Sequence, residues 1–422
     1  MEKQAESVLS GYRVLDLTNE RGHLCGKILG DLGADVVMIE PPGGSPSRSI
    51  GPFYHDIPTP ENSLFWWYSG ASKRGISLDV ASPDGKDIFR RLVKGAHFVI
   101  ESFDPGYMDG LGLGYSHLEA INPGIVMTSI TPFGQSGPYA HYQATDIVCS
   151  AMGGIMQLYG QPDRAPVRIS ADPQSYFLGG LHAAQGSMLA HYYRELQGEG
   201  QQVDVSIQQA VILTLMVASE VWDVVKVNIR GSGPFSRSVT AKGLLNVRFI
   251  YACKDGHVVH WPGGGAQAGI VTSTKRLMKW ANEEGMCLEL KDVDWSQFDA
   301  LSITQEELDY QTGIIGGFLR TKTKAELLER AVQESLLIAP VATVADIMKS
   351  PQLEARDYWQ NVEHPEIGET VSYPGSPVKM SEASWQIRRR APLIGEHNEE
   401  IYVKELGFSK DDLTLLKCRG II

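Results

Sequence analysis

The chain has 422 residues, enough for about two or three domains with sizeable cores. Hydrophobic residues make up 43% and charged residues 21%, which excludes long disorder, and no apolar run approaches the roughly 20 residues of a membrane-spanning helix. A formal net charge of −12 opposes nucleic-acid phosphates at long range and leaves any anionic ligand dependent on local donors. Met1 to Gly11 lacks the basic-then-apolar order of a signal peptide, so a cytoplasmic protein is expected. The five cysteines are scattered without metal spacing or a disulfide frame, which predicts reduced core thiols and no metal site.

A strand from Tyr12 to Leu17, a helix near Gly22 to Leu32 and a strand from Asp35 to Glu40 have βαβ spacing. A strand around Ile76 to Val80 follows, then a helix opening at Ser82-Pro83 with Ile88, Leu92 and Val93 on one face, then a strand from Phe98 to Glu101. Gly124 to Ile130 adds a buried strand, Phe177 to Leu196 a long helix rich in small residues, and Gln202 to Val205 a further strand. Together these predict an α/β fold with a doubly wound parallel sheet and right-handed crossovers. After about Asn228 the pattern weakens, which divides the chain into 1–225 (large domain), 226–325 (small domain) and 326–422 (linker and a part completing the large domain). In the small domain, Trp261-Pro262-Gly263-Gly264-Gly265 reads either as a mobile loop or as a tight turn. No GxGxxG follows the first strand, so dinucleotide binding is unsupported, and no internal repeat is present.

Nine segments carry a family resemblance: Val14 to Thr18, Asp31 to Val37, Ile39 to Gly44, Lys73 to Asp79, Met108 to Tyr115, Phe133 to Tyr139, Gly198 to Ser206, Ser350 to Arg356 and Ala391 to His397. In this order they resemble the class III CoA-transferases, the family of formyl-CoA transferase, carnitine CoA-transferase and α-methylacyl-CoA racemase. The resemblance implies a Rossmann-like large domain built from both ends of the chain, a small α+β domain between, and an interlocked, ring-like dimer. It implies no cofactor, coenzyme A entering as the substrate thioester.

In that family an aspartate carboxylate attacks the donor thioester, giving a mixed anhydride and then an aspartyl-CoA thioester that the acceptor acid opens. The aspartate follows a Pro-Val-Arg segment and precedes by four residues the glycine of a Gly-Leu-x-Ala-Ala helix. The anchors here are Pro166-Val167-Arg168 and Gly180-Leu181-His182-Ala183-Ala184. Counting back from Gly180 gives Tyr176 and counting forward from Pro166 gives Ser175, neither of them acidic. The nearest carboxylate, Asp172, is held extended by Pro173 and is either a displaced nucleophile or a surface loop residue.

Other departures accompany this one. The racemase Gly-His-Asp step reads Ala144-Thr145-Asp146, without the histidine that α-proton transfer needs. His182 and His191 on the long helix lack a visible acidic partner and are given no role. Where family members turn basic residues toward the nucleotide, this chain has Met38, Asp104 and Gly110, and Asp104 beside a diphosphate would repel it. Lys73, Arg74, Phe103 and Met108 remain as candidate CoA contacts, with Lys73 and Arg74 reading equally as caps of a surface strand.

A family fold without its nucleophile has three explanations. In the first, the chain is a non-catalytic subunit completed by a related, aspartate-bearing subunit. The resemblance then implies succinyl-CoA as donor and (R)-2-benzylsuccinate, an intermediate of anaerobic toluene degradation, as acceptor. In the second, a homomeric transferase or other acyl-CoA enzyme uses Asp172. In the third, the chain is a non-enzymatic acyl-CoA-binding or regulatory protein.

Overall fold

The computed structural model describes residues 7–240, 243–263, 268–297 and 303–422. Six parallel strands form the central sheet: β1 (Arg13–Leu17), β2 (Asp35–Glu40), β3 (Lys73–Ser77), β4 (Phe98–Glu101), β5 (Val126–Thr131) and β6 (Gln201–Ser206). Their spatial order is β3-β2-β1-β4-β5-β6, so the chain reverses direction across the sheet between β1 and β4. Alternation along each strand feeds two cores. Leu15, Val37 and Val99 pack on one face with Phe89, while Val14, Val36 and Phe98 pack on the other with Leu29 and Ala183.

Helices α1 (His23–Asp31), α2 (Leu64–Gly70), α3 (Pro83–Val93), α4 (Asp146–Met152) and α5 (Gln174–Gln197) surround the sheet. Helix α3 starts as its sequence predicts: the Ser82 hydroxyl accepts from the Gly85 N–H, and Pro83 takes the first turn. Gly26 brings α1 close to the sheet, because a Cβ there would collide with the buried Asp16 carboxylate. Trp66 and Trp67 on α2 are core residues packed with Met38, Val362 and Tyr373. From the far end of the chain, Ile401, Tyr402 and Leu413 join the core of Leu15 and Phe89.

The expected strand Ile76 to Val80 lies instead at Lys73–Ser77, in register with β2 from Val36↔Lys73 to Glu40↔Ser77. Hydrophobicity alone misplaces it because Lys73 and Arg74 are buried strand residues, each held by carboxylates. Four cysteines are buried and free as expected, but Cys418 is exposed.

The chain divides into two compact units. The first comprises the described parts of Met1–Ile155, Arg168–Ser219 and Pro351–Ile422, and includes a hairpin of β12 (Trp359–His364) and β13 (Glu369–Pro374). The second comprises those of Met156–Val167 and Glu220–Ser350. It contains the hairpin β7 (Phe235–Thr240) and β8 (Gly243–Arg248), and the antiparallel sheet β11-β10-β9 formed by Ile338–Pro340, Gly256–His260 and Ile250–Cys253. The expected limits of the small domain, 226–325, are thereby corrected: β11 pairs with β10, which carries the unit on to Ser350, and 156–167 joins it. Of the glycine run, Gly264 and Gly265 lie outside the described residues.

Candidate active site

In a doubly wound sheet, ligands sit beyond the carboxyl ends of the strands at the point where strand order reverses. A cavity of about 240 Å³ lies there, walled by residues 17–19 after β1, 38–41 at the end of β2, 78–80 after β3, and Ser102, Phe103 and Tyr107 after β4. The rings of Phe103 and Tyr107 are 4.7 Å apart and tilted by 33°, giving it an aromatic wall. Glu101, behind that wall, accepts the Phe103 N–H at 2.8 Å, and burial raises its pKa to about 7.

The charge on this cavity has one sign. Glu40 and Asp79 line it, and among the described residues no lysine, arginine or histidine does. Glu40 is neutralised by Arg48, whose Nε and NH2 donate to its two oxygens at 2.6 and 2.7 Å, while Arg48 stacks on Trp66 at 4.0 Å. The Asp79 carboxylate accepts the N–H of Ala81.

The candidate contacts Lys73 and Arg74 are corrected by this geometry. Lys73 is fully buried, its ammonium donating to Asp16 Oδ2 at 2.8 Å and to the His23 carbonyl at 2.9 Å. Arg74 donates to Asp35, Glu400 and Glu405 at 2.6–2.8 Å. Neither is a surface cap, and neither head group lines the cavity. Met108 packs into the core with Leu113 and Leu118, so of the four candidates only Phe103 faces the cavity.

At the aspartate slot, Ser175 is buried in the first turn of α5. Its N–H and hydroxyl both donate to Asp146 Oδ1, at 2.9 and 2.8 Å, and Arg168 donates to Asp146 Oδ2 at 3.1 Å. Three donors stabilise the Asp146 charge and occupy both oxygens, which weakens it as a nucleophile. Tyr176 is buried, and burial pushes its phenol up to about 12, so it stays protonated at neutral pH. The Cys25 and Cys149 thiols are likewise raised by burial to about 12, which excludes thiolate chemistry there. Asp172 is exposed in the loop before α5, and Thr145 is exposed. His182 meets Gln185, and His191 meets Arg194 and the exposed Glu195.

Arg21 is the cation that sequence reading missed. Its guanidinium adjoins the Tyr176 phenol and lies 3.6 Å from exposed Asp104, while its buried Nε has no partner. The signal was position: Arg21 stands two residues before α1, shortly after the Val14 to Thr18 segment.

The site therefore has the place of a nucleotide pocket without a cation among its described lining residues, and at Ser175 and Tyr176 it has no carboxylate. The CoA-transferase family III model matches residues 9–398. Subunit BbsE of succinyl-CoA:(R)-benzylsuccinate CoA-transferase from Thauera aromatica is 34% identical over 98% of each chain. Formyl-CoA:oxalate CoA-transferase of Streptomyces coelicolor is 31% identical over 98% of this chain and 99% of its own. Among solved structures, a CAIB/BAIF family protein from Brucella suis superposes with a TM-score of 0.81 at 26% identity, covering 95% of this chain and all of its own. With a family model spanning most of its length and relatives aligned end to end, the chain belongs to CoA-transferase family III.

Proposed function

We propose that this chain is the non-catalytic subunit of a heteromeric CoA-transferase whose related partner supplies the nucleophilic aspartate. The observation that carries the proposal is the slot itself, where Ser175 stands in place of the aspartate and donates to Asp146. A serine cannot take over the relay. The enzyme-bound CoA thioester needs an acyl carbon on the protein, which a carboxylate has and a hydroxyl lacks. The cation-free cavity supports the same reading, since nothing lining it would offset the phosphates of CoA.

Two similar relatives are named as subunits, BbsE and the beta subunit of succinyl-CoA–L-malate CoA-transferase. Exposed apolar residues at the end of the first unit's 168–219 segment, Leu213, Met216 and Val217, give a partner something to cover. No single helix among the described residues is long and apolar enough to cross a membrane, although the bent pair Ile207–Leu213 and Ala218–Val225 passes by length and composition. We place the complex in the cytoplasm as an interlocked dimer of unlike subunits, with succinyl-CoA as donor and an aryl-succinate such as (R)-2-benzylsuccinate as acceptor.

The test is gentle purification from the native cells and native mass spectrometry. Co-purification of a second, similar-sized chain bearing the family aspartate is expected. A homodimer of this chain alone that transfers CoA, with activity lost in Asp172→Ala, overturns the proposal in favour of a displaced nucleophile.

A further inference from the structure

A cleft lined by three arginines lies in the first unit away from the strand ends, where the chain crosses the start of β3. Ser72 anchors that crossing: its N–H donates to the Arg389 carbonyl at 2.9 Å, and its hydroxyl accepts the Arg388 N–H at 3.0 Å. Between this segment, β12 and His397 is a cleft of about 500 Å³, within the range of small-molecule sites.

Its side chains divide into satisfied and unsatisfied groups. Arg390 is satisfied, gripping Glu396 with two bonds at 2.8 and 2.9 Å and Glu366 at 2.8 Å, which makes it a rigid wall. Arg388 reaches only the neutral Ser7 hydroxyl, and Arg389 has no ion-pair partner among the described residues. His397 is pinned to β3, its Nδ1 accepting the Gly75 N–H at 3.1 Å, which fixes the neutral tautomer with the proton on Nε2. Burial disfavours a second proton on that ring, with the Arg389 charge adding to it and the Glu396 charge opposing it. Against these donors stands one carboxylate without an ion pair among the described residues, Glu363 on β12.

We propose that this cleft binds a small multivalent oxyanion, a phosphate ester or a polycarboxylate, through Arg388, Arg389 and the Nε2–H of His397. Arg388 and Arg389, neither in an ion pair among the described residues, line with His397 a space large enough for such a ligand, and Arg390 holds the wall in place. The proposal does not depend on the transferase reading, because none of these residues belongs to the strand-end cavity or the aspartate slot.

The test is calorimetric titration of the full chain, in the assembly in which it purifies, with inorganic pyrophosphate and in parallel with citrate, at constant ionic strength. Saturable binding is expected, weakened roughly tenfold by Arg389→Ala, the effect of losing one charge-assisted bond. Glu363→Gln, which removes the opposing charge, is expected to tighten it several-fold. Both substitutions fall on exposed side chains, so they leave the fold intact. Preference for pyrophosphate over citrate identifies a phosphate ligand, and the reverse a polycarboxylate. No saturable binding of either probe at millimolar concentration, or binding that neither substitution changes, overturns the proposal.

Discussion

Two clefts of the same unit carry opposite charge. The cavity at the strand ends has the place of a nucleotide site, yet among the described residues its walls hold Glu40 and Asp79 and no cation, while the cleft beside β12 gathers Arg388, Arg389 and Arg390. The difference teaches that fold position marks where a ligand can sit, whereas unpaired charge decides which ligand does. In and beside the sheet the cations are present but spent: Lys73 on Asp16, Arg74 on Asp35 at the opposite strand ends, and Arg48 on Glu40. They serve the fold, and breaking those pairs should register as lost stability.

The largest effect is expected for Lys73→Met. It leaves Asp16, which is fully buried, with hydrogen bonds from Thr18 but no countercharge, at a cost of about 3–5 kcal/mol. Urea unfolding of the variant measures it, and a loss under about 1 kcal/mol would mean that Lys73 is not committed to the fold.

Next comes the wall of the cavity. The Glu101 pKa is raised by burial from 4.5 to about 7 in the folded chain. Below the unfolded value both states are protonated and the group costs nothing. As pH rises through that window the folded state resists ionisation, so stability falls by up to about 3 kcal/mol and the loss is complete above pH 7. Glu101→Gln should flatten this part of the pH–stability curve, and equal slopes in the two proteins would contradict the assignment.

A smaller effect is expected at the slot. Ser175→Ala removes the hydroxyl bond to Asp146 and should cost about 1–2 kcal/mol of stability while leaving CoA transfer by the assembled enzyme unchanged. A large loss of transfer would give this chain a direct part in the chemistry. Smallest of all, Asp79→Asn should raise the weak affinity of the isolated chain for CoA only a few-fold, by removing one repelling charge from the strand-end cavity. Tight CoA binding before any substitution would break the comparison between the two clefts.

Much of the fold was legible because β1, β2 and β4 are apolar runs buried on both faces, and periodicity alone reports them. The strand β3 was not, since a buried Lys73-Arg74 pair looks like surface until its carboxylates, distant in sequence, are brought to it. At the site, the absence of an acidic residue at Ser175 or Tyr176 could be counted from flanking motifs. That Asp146 fills the vacancy as the hydrogen-bond partner of Ser175 could not, because 29 residues separate them and only the packing of α4 on α5 joins them. Asn19, Val80 and Tyr107 come together from the ends of three different strands, which a linear pattern does not show.

The most direct test of the account is covalent trapping. The purified complex is incubated with succinyl-CoA, treated with hydroxylamine or borohydride, and both chains are mapped by peptide mass spectrometry. The account predicts a modified aspartate on the partner and no adduct anywhere on this chain. An adduct on Asp172 or Asp146 would contradict it and make this chain catalytic in its own right.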